Sequence, residues 1–201
     1  DLTCFATPDA SINITVSGGL APYSYEVSSN GGTSYTSISG SPFTTDTPGN
    51  YQFRITDANG CTRITSPVTV NPIVQPEITS VIPTHITCNG ENTGALSITI
   101  DTSLGLAPFV INVYNNTTFT DYGTQTTGLT AGDYTITVTD AKGCEDTQNI
   151  TIIEPDTIDF DLTKVDITCT PTGSSLGSIT VDNVSGGTAP FTYYISNNFG
   201  E

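Results

Sequence analysis

At 201 residues the chain has room for one large domain or two small ones. Four Lys+Arg stand against twenty Asp+Glu, a formal charge of −16, which is the wrong sign for neutralising nucleic-acid phosphates or anionic lipid headgroups. Thr occurs 38 times while Met and Trp are absent, a β-branched and turn-rich composition that argues for an all-β chain and against long amphipathic helices.

In chain order, Leu2-Thr3-Cys4 is the first distinctive block, and it returns as Ile86-Thr87-Cys88 and Ile167-Thr168-Cys169. The period is thus a little over eighty residues, and each copy opens a unit. Ile12, Ile14 and Val16 then alternate with Asn13 and Thr15, the two-residue period of a half-buried strand, as Leu96, Ile98 and Ile100 do one period later. A turn block follows: Gly18-Gly19-Leu20-Ala21-Pro22-Tyr23, then Leu104-Gly105-Leu106-Ala107-Pro108-Phe109, then Gly186-Gly187-Thr188-Ala189-Pro190-Phe191.

Later in each unit, Gly49–Cys61 matches Gly132–Cys144 at seven of thirteen positions. Within it, Tyr51 and Tyr134 follow a Gly by two residues and lead into a strand, the pattern of a tyrosine corner whose hydroxyl bonds nearby backbone. Asp57 and Asp140 each precede a Gly by three residues and are expected to shape hairpin turns. Pro72, Pro76, Pro83 and Pro155 mark short stiff junctions.

These signals predict six or seven short strands per unit and tandem immunoglobulin-like β-sandwich repeats of about eighty residues. The expected domains are 1–76, 77–156 and 157–201, the last being the first half of a third repeat, so that the chain reads as a piece of a longer protein. No run of eighteen apolar residues offers a membrane-spanning helix, and no membrane insertion is expected. Five cysteines with no CxxC pair, beside a single His, favour disulfides in an oxidising compartment over zinc. The repeat predicts one disulfide in each full unit, Cys4 with Cys61 and Cys88 with Cys144, with the partner of Cys169 some 57 residues further on, near position 226 of a parent chain.

Cys88-Asn89-Gly90, Gly94-Ala95-Leu96-Ser97-Ile98, the block from Gly18-Gly19 to Tyr25, and Gly132-Asp133-Tyr134 through Cys144 together resemble SprB-type repeats. The resemblance covers essentially the whole chain. It implies a very large cell-surface adhesin of the Bacteroidota, exported by the type IX secretion system and serving adhesion or gliding motility, with the repeats forming long filaments. The chain departs from the pattern at Cys4-Phe5-Ala6, where the Gly of the second copy is missing, and at Leu104-Gly105, which replaces the Gly pair.

Other chemistries have thin support. Gly173-Ser174-Ser175-Leu176-Gly177 fits the spacing of a nucleophile elbow, but it aligns with the turn containing Gly94 and the sole imidazole is His85, so no enzyme is expected. No cofactor is expected either, although sixteen carboxylates exceed the available cations. Calcium would find its densest oxygen set at Glu154, Asp156, Asp159, Asp161 and Asp166, without EF-hand spacing. Asp156-Thr157-Ile158 resembles an O-glycosylation site of the Bacteroidota, which makes Thr157 a candidate. The reading is therefore an extracellular spacer that projects a distal binding tip, with neighbouring repeats of the chain as its partners. One alternative is a module that binds surface glycans through Tyr35, Tyr114 and Tyr122; another is a subunit that self-assembles with other filament chains.

Overall fold

The structure is a computed structural model that describes residues 1–5 and 10–196; residues 197–201, the end of the expected third repeat, lie outside the described residues. Its strands in the first stretch are β1 (Ala10–Ile12), β2 (Ser24–Ser28), β3 (Thr36–Ile38), β4 (Phe43–Thr45), β5 (Gly49–Thr56), β6 (Thr62–Ile64) and β7 (Val68–Val70). There follow β8 (Glu77–Thr84), β9 (Gly94–Asp101), β10 (Val110–Asn115), β11 (Thr120–Gly123), β12 (Thr127–Leu129), β13 (Gly132–Thr139) and β14 (Glu145–Ile152). The last are β15 (Asp159–Val165), β16 (Thr168–Thr170), β17 (Gly173–Ser175) and β18 (Ser178–Ser185). The fold is all-β and sandwich-like, with no helix among the described residues.

In the first stretch the sheet order is β3-β2-β5-β6, with β7 pairing the start of β5, while β1 pairs β4 separately. The register places Tyr25 opposite Ile55 and Val27 opposite Phe53, so one face of β2 and β5 is apolar. In the second stretch two sheets form, β11-β10-β13-β14 and β12-β9-β8. β15 pairs β18 in antiparallel register, and no residue of β15 is buried.

By contact density the chain divides into two compact units, one of residues 1–79, 99–111 and 137–147, the other of 80–98, 112–136 and 148–201. In the first unit Leu2, Ala10, Tyr51, Phe53 and Val70 form a buried cluster, against which Ile12, Ile14, Val27, Ile38, Phe43 and Ile55 pack. Phe43 meets Tyr51 and Phe53 at centroid distances of 5.5 and 5.4 Å, ordinary aromatic packing. The second unit buries Ile86, Leu96, Val113, Leu129, Tyr134, Ile136 and Ile152.

The tyrosine hydroxyls do what a corner requires. Tyr51 Oη donates to the Thr47 carbonyl and Tyr134 Oη to the Thr130 carbonyl, each at 2.7 Å and each four residues upstream. Burial raises the Tyr134 phenol above its usual range, since the ionised form would lose water that the core does not replace.

The expected strand through Ile12, Ile14 and Val16 ends at Ile12. Its partner explains why. The β1–β4 register runs from Ala10 opposite Thr45 to Ile12 opposite Phe43, so the next residue across is Pro42, which has no N–H to give to a ladder. The Ile14 amide donates instead to Ser41 Oγ at 2.8 Å.

The cysteines depart from expectation. Cys4 bonds Cys144, with the Cα atoms 4.8 Å apart at a sequence separation of 140, while Cys61, Cys88 and Cys169 are unbonded and exposed. The expected pairs Cys4–Cys61 and Cys88–Cys144, and with them one disulfide in each repeat, are not the ones formed. The periodic sequence says that an opening cysteine pairs with a turn cysteine, but Cys61 and Cys144 occupy the same place in successive copies. A shift by one period leaves the pattern unchanged, and only three-dimensional proximity decides between them.

Candidate functional site: the cysteine-bearing turns

The chemistry-bearing residues that recur at matching positions are those of the Asp57–Cys61 and Asp140–Cys144 turns. Each turn begins with an aspartate whose carboxylate organises the loop behind it. Asp57 Oδ1 accepts the amides of Asn59 at 3.0 Å and Cys61 at 2.8 Å. Asp140 Oδ1 accepts those of Lys142 at 2.8 Å and Cys144 at 2.9 Å.

The second carboxylate oxygen reaches the turn block far back in sequence. Asp57 Oδ2 accepts the Leu20 amide at 3.1 Å, and Asp140 Oδ2 the Leu106 amide at 2.9 Å. Backbone bonds complete the match, with Ala58 donating to the Leu20 carbonyl and Ala141 to the Leu106 carbonyl, both at 2.8 Å. Gly60 and Gly143 adopt φ of 83° and 74°, the left-handed region where glycine is favoured. The sequence shows the Gly-x-Ala-Pro block and the Asp-to-Cys turn as separate motifs; the structure makes them one site, twice.

The environments differ. Asp140 is only 5% exposed, and Cys144 is wholly buried beneath the bridge to Cys4. Asp57 stays closer to solvent, and its carboxyl is held below the usual carboxylate range by the Cys61 amide above all, then by the Leu20 and Asn59 amides. These bonds favour the ionised form in the folded state. The stability they lend is therefore present above the ordinary carboxylate range and is lost as pH falls through the lowered folded value. A carbon-detected titration of the side-chain carboxyls is expected to place Asp57 below an unstructured peptide reference; a midpoint at or above that reference would contradict the geometry.

The acidic residues proposed for calcium are strung along the chain with separate duties. Glu154 Oε2 accepts the Gly90 amide at 2.7 Å, and the Asp156 carbonyl accepts the Gly187 amide at 2.8 Å. Asp159 accepts the Phe160 amide at 3.0 Å, Asp161 the Asn183 side-chain amide at 2.7 Å, and Asp166 meets Lys164 at 3.2 Å. Among the described residues no group of three or more His, Cys, Asp or Glu could hold a metal ion.

Tyr35 lies in the first unit, with the Arg54 guanidinium 4.4 Å from its ring centroid and Arg54 itself held by Glu26 at 2.6 and 2.9 Å. Tyr114 and Tyr122 lie in the second unit, both half-buried. Tyr122 packs on Tyr134 at 6.0 Å and meets the Thr130 hydroxyl at 3.2 Å. Thr157 is exposed. His85 Nδ1 accepts the Ile153 amide at 3.2 Å, which occupies the sole imidazole with backbone. The segment Gly173–Gly177 opens as β17 of a two-stranded hairpin with β16, not the strand-to-helix turn that an elbow needs.

No curated protein matches the chain. The family model described as SprB repeat matches residues 1–32 and residues 162–199. The first match contains the opening Leu2-Thr3-Cys4 and the first Gly-Gly turn block; the second contains the opening Ile167-Thr168-Cys169 and the third turn block. With the all-β fold, the family points to a structural repeat of a cell-surface protein, and no helix among the described residues is long and apolar enough to cross a membrane. Two matches to the same family model, one near each end, make these two stretches of the chain similar to SprB repeats.

Proposed function

We propose that the chain is a segment of an extracellular adhesin, exported by the type IX route and serving surface attachment or gliding, in which these repeats act as a spacer carrying a binding tip away from the cell. The neighbouring repeats of its own chain are its partners. The observation that carries this reading is the recurrence of the SprB signature at residues 1–32 and 162–199. Repetition of one carboxylate-organised turn at Asp57 and Asp140 adds support, because duplicated architecture without duplicated ligand chemistry is what a spacer needs. The three tyrosines differ between repeats, Tyr35 lying in a loop, Tyr114 in β10 and Tyr122 in β11, and Tyr35 and Tyr122 are engaged with neighbouring side chains.

The purified chain printed against a glycan array tests the reading. Silence is expected, together with labelling of intact cells by an antibody against the chain. Glycan binding that disappears on Tyr35→Ala, Tyr114→Ala or Tyr122→Ala would replace the spacer with a carbohydrate-binding module.

A further inference from the structure

The two cysteine-bearing turns are copies of one construction, yet among the described residues only one is covered. On the Asp140–Cys144 turn the opening segment of the chain lies against the backbone, with the Cys4 amide donating to the Lys142 carbonyl at 2.9 Å and the Cys4–Cys144 bridge locking it there. Phe5 lays its ring edge on the turn, so that a Cβ on Gly143 would stand 2.6 to 3.0 Å from three of its ring carbons. Asp1 approaches Lys142 at 3.9 Å.

On the Asp57–Cys61 turn the same hydrogen bonds are made, but among the described residues nothing beyond its chain neighbours lies within 4 Å of the place a Cβ on Gly60 would take. Cys61 is exposed and unbonded where Cys144 is wholly buried and bonded. Beside it runs an open groove of about 500 Å³, lined among others by Ile14, Val16, Tyr23, Ile55 and Arg63.

We infer that the Asp57–Cys61 turn is a docking site for the opening segment of another SprB-type repeat, an aliphatic-Thr-Cys sequence whose thiol becomes disulfide-bonded to Cys61. The inference rests on the internal repeat and is independent of the adhesive role. The occupied turn identifies the occupant, since the segment seated on it is Leu2-Thr3-Cys4. The other two opening cysteines, Cys88 and Cys169, are likewise exposed and unbonded. In the first two copies the aliphatic residue anchors the segment, Leu2 and Ile86 being 3% and 4% exposed, while in the third Ile167 is 69% exposed. Successive repeats are thereby joined by staggered bridges, each running from an opening segment to the turn of a different repeat.

The step is thiol–disulfide exchange. The incoming cysteine arrives as a mixed disulfide with a small thiol; the Cys61 thiolate attacks its sulfur, the new S–S bond forms, and the small thiol leaves as thiolate and takes up the proton Cys61 lost. The mixed disulfide is the oxidant, and no other is needed.

The test uses the intact oxidised chain and a synthetic peptide of residues 1–7, supplied as its mixed disulfide with glutathione. Acid-quenched, non-reduced digests are read by mass spectrometry. Uptake at each cysteine is divided by uptake from glutathione disulfide alone, which removes differences in thiol reactivity. Docking raises the local concentration of the peptide, so Cys61 is expected to exceed Cys88 and Cys169 by about tenfold. A peptide carrying Phe5→Ala is expected to lose most of that preference, and this control requires no change in the protein. Equal normalised uptake at the three cysteines, or Cys61 found bonded to Cys4 in the starting chain, would overturn the inference.

Discussion

Cys4→Ser is expected to lower the stability of the first unit by about 5 kcal/mol, the entropy of closing a loop of this length in the unfolded chain. The bridge spans 140 residues, and closure entropy grows with the logarithm of loop length, so the shifted pairing is worth somewhat more than a bridge within one repeat. Cys4 is half-buried and its replacement by Ser changes little volume, which isolates the covalent effect. Urea unfolding followed by circular dichroism and tyrosine fluorescence reads the change cleanly in a chain without Trp. Reductant added to the unsubstituted chain should reproduce it, and Cys61→Ser should leave the midpoint where it was. A Cys4→Ser chain within about 1 kcal/mol of the parent would mean that the bridge lends little stability.

Asp140→Ala carries the second large effect. Its carboxylate accepts three backbone amides, from Lys142, Cys144 and Leu106, in a position only 5% exposed. Removing it leaves those donors without a partner where water is scarce, at a cost of about 4 kcal/mol when each orphaned group is charged at the ordinary desolvation penalty. Asp140→Asn keeps one accepting oxygen and should fall between. Asp57→Ala removes equivalent bonds from a turn that faces solvent, where water replaces the carboxylate, and should cost clearly less. Denaturation midpoints ordered in any other way would show that burial does not set the cost of losing these carboxylate bonds.

Much of the fold was legible because strand chemistry is local. The alternation Tyr134, Ile136, Val138 became a strand whose three side chains are fully buried, and the Gly-x-Tyr pattern placed both corner hydroxyls on backbone carbonyls. The early end of β1 was not legible from the Ile12-Ile14-Val16 pattern, because it depends on which residue stands across the ladder, and that residue is Pro42.

At the candidate site the aspartate turns could be read from Asp and Gly spacing. Their tie to Leu20 and Leu106 could not, since a 37- or 34-residue separation carries no local signal. The disulfide failed for a sharper reason. Translation by one repeat maps Cys61 onto Cys144, so the repeat pattern does not distinguish the two as partners of Cys4. The contrast that does distinguish them, a buried Cys144 and an exposed Cys61, exists only after folding.

The Cys4–Cys144 bridge also sets how far the chain can lengthen when it is pulled from its ends. Tension entering at Asp1 crosses the sulfurs after four residues and resumes at Cys144, leaving the intervening backbone off the taut line. Fully drawn out, the oxidised molecule reaches about 220 Å, against about 700 Å once reduced.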